Sequence, residues 1–247
     1  MKLIENIIGN NGLVFAFLVV GVIMFVSQVM SRRLTAGRIP GVAIAITLGL
    51  VLAWFGGKKG IADYPLFAGM ALLGGTMLRD FSIVSTAMGA SLSEIRKAGP
   101  AGIFSLITGM IVAFVLGSVT AYAFGYTDAK SVTTIGAGAL TFIVGPVTGT
   151  AIGASSDVVA ISIATGVLKT VVVTTCTPLL AKRMGLDNPH TAMVFGGLIG
   201  TTSGVAAGLA ATDPKLVPYG ALTATFYTGL GCLLCPSVFY LLVQWIL

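Results

Sequence analysis

Lys169 lies in an apolar run, 156–181, thirteen residues beyond its start. A charge at that depth in hydrocarbon is expensive, and such residues face solute paths by default. An ammonium there is a partner for a carboxylate. Two neighbouring stretches bring the complementary chemistry. Segment 131–155 carries Thr133, Thr134 and Gly136, and segment 190–214 carries Thr201, Thr202, Ser203 and Gly204. Hydroxyls, with main-chain amides freed where glycine weakens a helix, hold anions. Freed carbonyls with hydroxyls suit a hard cation such as sodium. Gly145 and Thr148, with Ser155, Ser156 and Asp157, are candidates for that role.

Plainer roles compete with these: for Lys169, an ion pair with Asp213 or with another subunit, since Asp157, twelve residues and about 18 Å away on the same helix, is out of reach. Gly196, Gly200, Gly204 and Gly208 have the four-residue spacing that lets helices pack closely. Asp157 is placed to cap a helix, and Asp213 before Pro214 signals a turn. His190 follows Asn188-Pro189 at a helix start and reads as a surface residue. Cys176, Cys232 and Cys235 lie in apolar runs and read as small buried residues. One histidine cannot complete a zinc set around Cys232-x-x-Cys235.

The elements that position these residues must be membrane helices. The 247-residue chain is 56% hydrophobic and only 9% charged, against about 25% charged in soluble domains. That composition argues against a soluble enzyme, a disulfide scaffold or a nucleic-acid binder. The net charge of +6 is dispersed in helix-end groups such as Arg32-Arg33, Lys58-Lys59, Arg96-Lys97 and Lys182-Arg183. The fold class is therefore an all-α polytopic transmembrane bundle in a lipid bilayer. Segment 13–30, followed by Ser31-Arg32-Arg33, reads as a first spanning helix rather than a cleaved signal. Arg79-Asp80 marks a helix end, Ser91-x-x-Glu94 a capping box, and Gly99-Pro100 a break before the next crossing.

Residues 1–125 hold ordinary spans, read as a scaffold or partner-binding region. Residues 126–247 form a transport region whose stretches near 131–155 and 190–214 are rich in Gly, Pro and Thr. Thr133-Thr134-Ile135-Gly136 and Thr201-Thr202-Ser203-Gly204 repeat at an offset of 68, with Pro146 matching Pro214. Paired interrupted segments are the best sequence pointer to a transporter's binding site. Eight full crossings would divide the basic residues seven against six; re-entrant hairpins at the two stretches would divide them nine against four and make the repeat inverted. No Walker loop, H-E-x-x-H or catalytic triad pattern is present. The reading is a non-enzymatic carrier, driven by an ion gradient or a partner, with no organic cofactor.

The strings Thr133–Ala139 with Ile143–Gly149, and Gly200–Ala206 with Ala211–Lys215, resemble the MadM subunit of the malonate:sodium symporter family. Leu78-Arg79-Asp80-Phe81 and the stretch 37–45 share the resemblance, which spans nearly the whole chain. It implies secondary active transport of malonate with sodium as coupling ion. It also implies a smaller membrane partner, MadL, in the inner (cytoplasmic) membrane, with room for a higher oligomer. Lys130-Ser131-Val132-Thr133-Thr134 is more distantly similar to the LrgB/CidB proteins. That likeness implies a holin-type or cell-wall-regulating protein, or a glycolate/glycerate carrier.

Overall fold

The computed structural model describes residues 11–35, 39, 41–55, 60–73 and 92–247, and it contains no β-strand among them. Lys58-Lys59, Arg79-Asp80 and the Ser91 end of the expected capping box lie outside the described residues. The chain divides into two compact units, 1–85 and 86–247. The boundary at 125 drawn above was functional. By packing, helix Leu92–Ala123 belongs with the C-terminal unit.

In the first unit, α1 (Gly12–Leu34) is long and apolar enough to span a bilayer, and Arg32 and Arg33 close its last turn. Basic side chains there suit both the helix dipole and the lipid surface. Helix α2 (Gly41–Trp54) follows, then two 3-10 turns and the short α3 (Gly69–Leu73).

The second unit opens with α4 (Leu92–Ala123). Gly99, at φ 55°, interrupts it, and Pro100 opens the spanning part. Its outer side presents Phe104, Leu116 and Val119, all more than half exposed. In water that surface would invite association; in lipid it is the natural contact. The interior is correspondingly polar, with Thr133, Thr134, Thr148, Thr174 and Thr201 fully buried.

After α4 the chain builds one motif twice. Gly125 turns the chain at φ 94° and Asp128 caps α5 (Ala129–Leu140), accepting from the Ser131 amide at 2.9 Å. The helix stops at Thr141, restarts as α6 (Val144–Ile152), and leads to the long α7 (Ser156–Met184). Sixty residues on, Gly185 turns at φ 64° and Asn188 caps α8 (Pro189–Ile199), accepting from the Thr191 amide at 3.0 Å. That helix stops at Gly200-Thr201, restarts as α9 (Thr202–Ala210), and leads to α10 (Val217–Leu234). A π-turn at Cys235–Phe239, where Pro236 lacks an amide hydrogen, continues into α11 (Tyr240–Ile246).

Both broken helices double back. Gly145 lies against Gly138, Gly149 against Thr134, and Gly153 near Lys130, so α5 and α6 run antiparallel. In the second motif the start of α8 (Ala192) and the end of α9 (Leu209) both lie against Gly220, while Gly200 at the tip abuts Tyr227. The four short helices have 12, 9, 11 and 9 residues. At 1.5 Å per residue none crosses a core of about 30 Å. The two stretches are thus re-entrant hairpins, and the eight-crossing arrangement, which needs four full crossings in this half, is excluded.

The hairpins enter from opposite sides. Helix α7 runs parallel to α9 (Thr170 by Gly204, Thr177 by Gly208), and α9 runs antiparallel to α10. Hence α7 and α10 are antiparallel, and the motif is inverted. The equivalence is 60 residues, not 68. Thr133 and Thr134 sit within α5, whereas Thr201 and Thr202 sit at a break, so the 68-residue match pairs unlike positions. The residue equivalent to Thr201 is Thr141.

Two outcomes check this architecture. Ser131 bonds hold the Asp128 carboxyl below its usual range, so its capping contribution is complete above the ordinary value of 3.8 and fades as pH falls. Asp128→Ala lowers thermal stability by about 1 kcal/mol, while Asp128→Asn, copying Asn188, retains it. In a cysteine-free background, Lys130→Cys and Asn188→Cys react with an impermeant maleimide from opposite sides of the membrane; labelling from one side rules the inverted hairpins out.

Candidate functional site

The two hairpin tips both end half-way along the long helices, where the side chains of Lys169 and Tyr227 bridge them. Helix α5 ends at Leu140, and the last carbonyls of a helix have no partner within it. Lys169, on α7, supplies one: its Nζ donates to the carbonyls of Ala139 and Leu140, both at 2.9 Å. The same ammonium lies 5.6 Å from the centre of the Tyr227 ring, within reach of a cation–π interaction. Tyr227 is fully buried and donates to the Gly109 carbonyl of α4 at 3.2 Å. Its ring packs on Gly200, the left-handed residue (φ 79°) at the second tip. Lys169 and Tyr227 thus join both hairpins to α4.

Each tip is also held by a threonine. The Thr141 Oγ accepts from the amides of Ile143 and Val144, at 3.2 and 3.1 Å, and so caps α6. The Thr201 Oγ shares a 2.8 Å hydrogen bond with Thr170 Oγ on α7. Helix α9 therefore starts beside α7 with its N-terminal amides at mid-depth, the pole of a helix that favours negative charge. The Thr202 hydroxyl at that start is buried without a hydrogen-bond partner. A buried unpaired hydroxyl costs about 1–3 kcal/mol, which is consistent with a place that is completed by a solute.

The candidates from sequence divide accordingly. Lys169, Thr201 and Thr202 gather at the tips, and Gly204 packs on Thr170 just behind them. Ser203 is exposed. Thr133 is fully buried within α5 and its hydroxyl has no partner. The Thr134 hydroxyl donates to the Lys130 carbonyl of its own helix, and Gly136 is a packing contact with Ser118 and Phe114 of α4. Of the cation candidates, Gly145 packs on Ser162 and Thr148 is buried in α6. Ser155, Ser156 and Asp157 are exposed at the start of α7, where Ser155 is the cap residue and Asp157 lies in the first turn. Asp157 stands twelve residues, about 18 Å, from Lys169, so the structure does not gather these five around one point. Asp213 accepts from the Lys215 amide at 3.0 Å and serves the turn expected of it.

A groove of about 650 Å³ between α4, α5 and α7 leads to Lys169. Its walls are mainly apolar; Thr120, Tyr126 and Thr165 contribute hydroxyls. Tyr227, Thr170 and Thr141 had not been singled out by spacing. For Thr141 the signal lay in the 60-residue register, which aligns Gly125 with Gly185, Asp128 with Asn188, Gly136 with Gly196 and Thr141 with Thr201; that register marks neither Tyr227 nor Thr170.

Residues 4–247 match the family model of the malonate/sodium symporter MadM subunit. The chain belongs to the MadM family. No curated protein and no solved structure matches it. Membership makes this a subunit of a sodium-coupled malonate transporter, a multi-pass membrane protein with four helices among the described residues long and apolar enough to span. Among the described residues of this MadM chain, the convergence of Lys169, Tyr227 and the hairpin tips is the one place in the second unit where a membrane-depth charge, helix poles and an unpartnered hydroxyl coincide.

Gly200→Ala tests that convergence. A Cβ there would run into the Tyr227 ring and hold a left-handed φ that alanine resists. Gly200→Ala lowers the melting temperature of purified protein by several degrees, about 1–3 kcal/mol, and abolishes uptake. At Gly229, where a Cβ meets nothing within 4 Å, the same change leaves both measurements intact.

Proposed function

We propose that this chain is the substrate-translocating subunit of a sodium-driven malonate importer, working in the inner membrane beside a smaller subunit of the MadL kind. The observation that carries this reading is a lysine at membrane depth, at the meeting point of two inverted hairpins, in a chain that belongs to the MadM family along nearly its whole length. Malonate is a dianion at neutral pH. One carboxylate pairs with Lys169. The other lies at the start of α9, against the Thr201 and Thr202 hydroxyls and the amides of Thr202 and Ser203. A dianion taken alone into low dielectric is heavily penalised, and a cotransported cation reduces the charge that must cross.

Within the second unit, Lys182, Arg183 and Lys215 lie at the side from which the second hairpin enters, and Lys130 at the side from which the first enters. The positive-inside rule puts the former side in the cytoplasm. The groove to Lys169 runs past Phe124 and Tyr126, close to the first hairpin's entry, and so faces outward. Alternating access follows when the inverted hairpins exchange their environments, as in other inverted-repeat carriers.

Uptake of labelled malonate into vesicles, with and without the small subunit, tests the reading. Accumulation requires an inward sodium gradient, and Lys169→Ala reduces it at least about a hundredfold while the amount of protein in the membrane stays within twofold, as expected when a buried charge loses its counterpart. Equilibration of malonate and unrelated solutes without sodium would instead favour the holin-type pore.

A further inference from the structure

We propose that the carbonyls of Ala139 and Leu140 form the coupling-cation site, and that the Lys169 ammonium occupies it while the carrier is empty. The proposal rests on the malonate reading above and deepens it. Two main-chain oxygens converge on one cation, each at 2.9 Å, at the C-terminal and hence negative end of α5. Freed carbonyls at the end of a half-helix are a recurrent means of holding sodium inside carriers. Here the cation is tethered to the protein. An arriving anion thus meets an ammonium that carbonyls and the Tyr227 ring hold in place.

The ammonium has three N–H donors and spends two on these carbonyls; a substrate carboxylate, the stronger acceptor, draws it off them. When it turns to a substrate carboxylate, Ala139 and Leu140 lose their donor at mid-depth, where an unsatisfied backbone group costs several kcal/mol. A sodium ion restores the interaction at the same oxygens. Charge balances in the same step: lysine and one sodium offset the two carboxylates, whereas lysine alone leaves a net negative charge. The empty and fully loaded forms are each satisfied, and the half-loaded forms are not. This is the condition for tight coupling. Sodium and malonate reach the site by the groove that ends at Lys169.

Radiolabelled sodium binding tests this on the full chain, co-purified with its co-expressed small subunit, with and without malonate. In the unsubstituted protein, malonate tightens sodium binding about tenfold or more. In Lys169→Gln, sodium binds without malonate at least about tenfold more tightly than in the unsubstituted protein, and malonate no longer alters it. Sodium affinity in Lys169→Gln equal to or weaker than that of the unsubstituted protein, while the latter still shows sodium-driven uptake, overturns the cation site and leaves the transport reading standing. If uptake by the unsubstituted protein ignores sodium, the transport reading itself fails. Should Lys169→Gln not reach the membrane, the first arm decides alone: sodium binding indifferent to malonate overturns the proposal.

Discussion

A helix that stops inside a bilayer leaves carbonyls with no water to turn to, and this chain stops two helices there. The bond from Lys169 to the end of α5 is the interaction on which the rest depends. It satisfies the backbone at the first tip. It holds a charge at a depth where charges are otherwise rare. Through the Tyr227 ring it also reaches the second tip and α4. The surrounding packing serves this arrangement. Gly138 and Gly166 allow α5 to lie directly on α7, so that the lysine is level with the carbonyls it needs. An ordinary side chain at either position would run into the neighbouring main chain and separate them.

Much of this was legible before any coordinates. The all-α membrane class follows from composition alone, since so few charges cannot cover a soluble surface. Lys169 stood out because a charge in an apolar run has few explanations. The two interrupted segments stood out because Gly, Pro and Thr weaken helices where lipid would punish a break. The family was readable from long strings, and the match over 4–247 bears it out.

What was not legible is equally physical. The T-T-x-G strings suggested a register of 68 because Gly and Thr recur throughout such helices for packing reasons, so their coincidence carries little information about equivalence. The residues that mark equivalence are the ones that start and stop helices. Asp128 and Asn188 differ in charge yet do the same capping, and Gly125 and Gly185 turn the chain at positive φ. Tyr227 was invisible because one aromatic in an apolar helix looks like any other; its importance comes from facing a glycine at a tip twenty-seven residues earlier. The cation candidates Ser155, Ser156 and Asp157 resembled a site by composition, but they cap and open α7, far from the tips.

The duplication is faithful in its frame and unequal in its charge. Counting sixty residues onward from Lys169 arrives at Gly229, a position with empty space around it. The fold thus has two equivalent positions, one on each long helix, and only one of them carries a charge. The two halves are therefore unequal electrostatically, because the lysine sits on α7 and its counterpart on α10 is glycine.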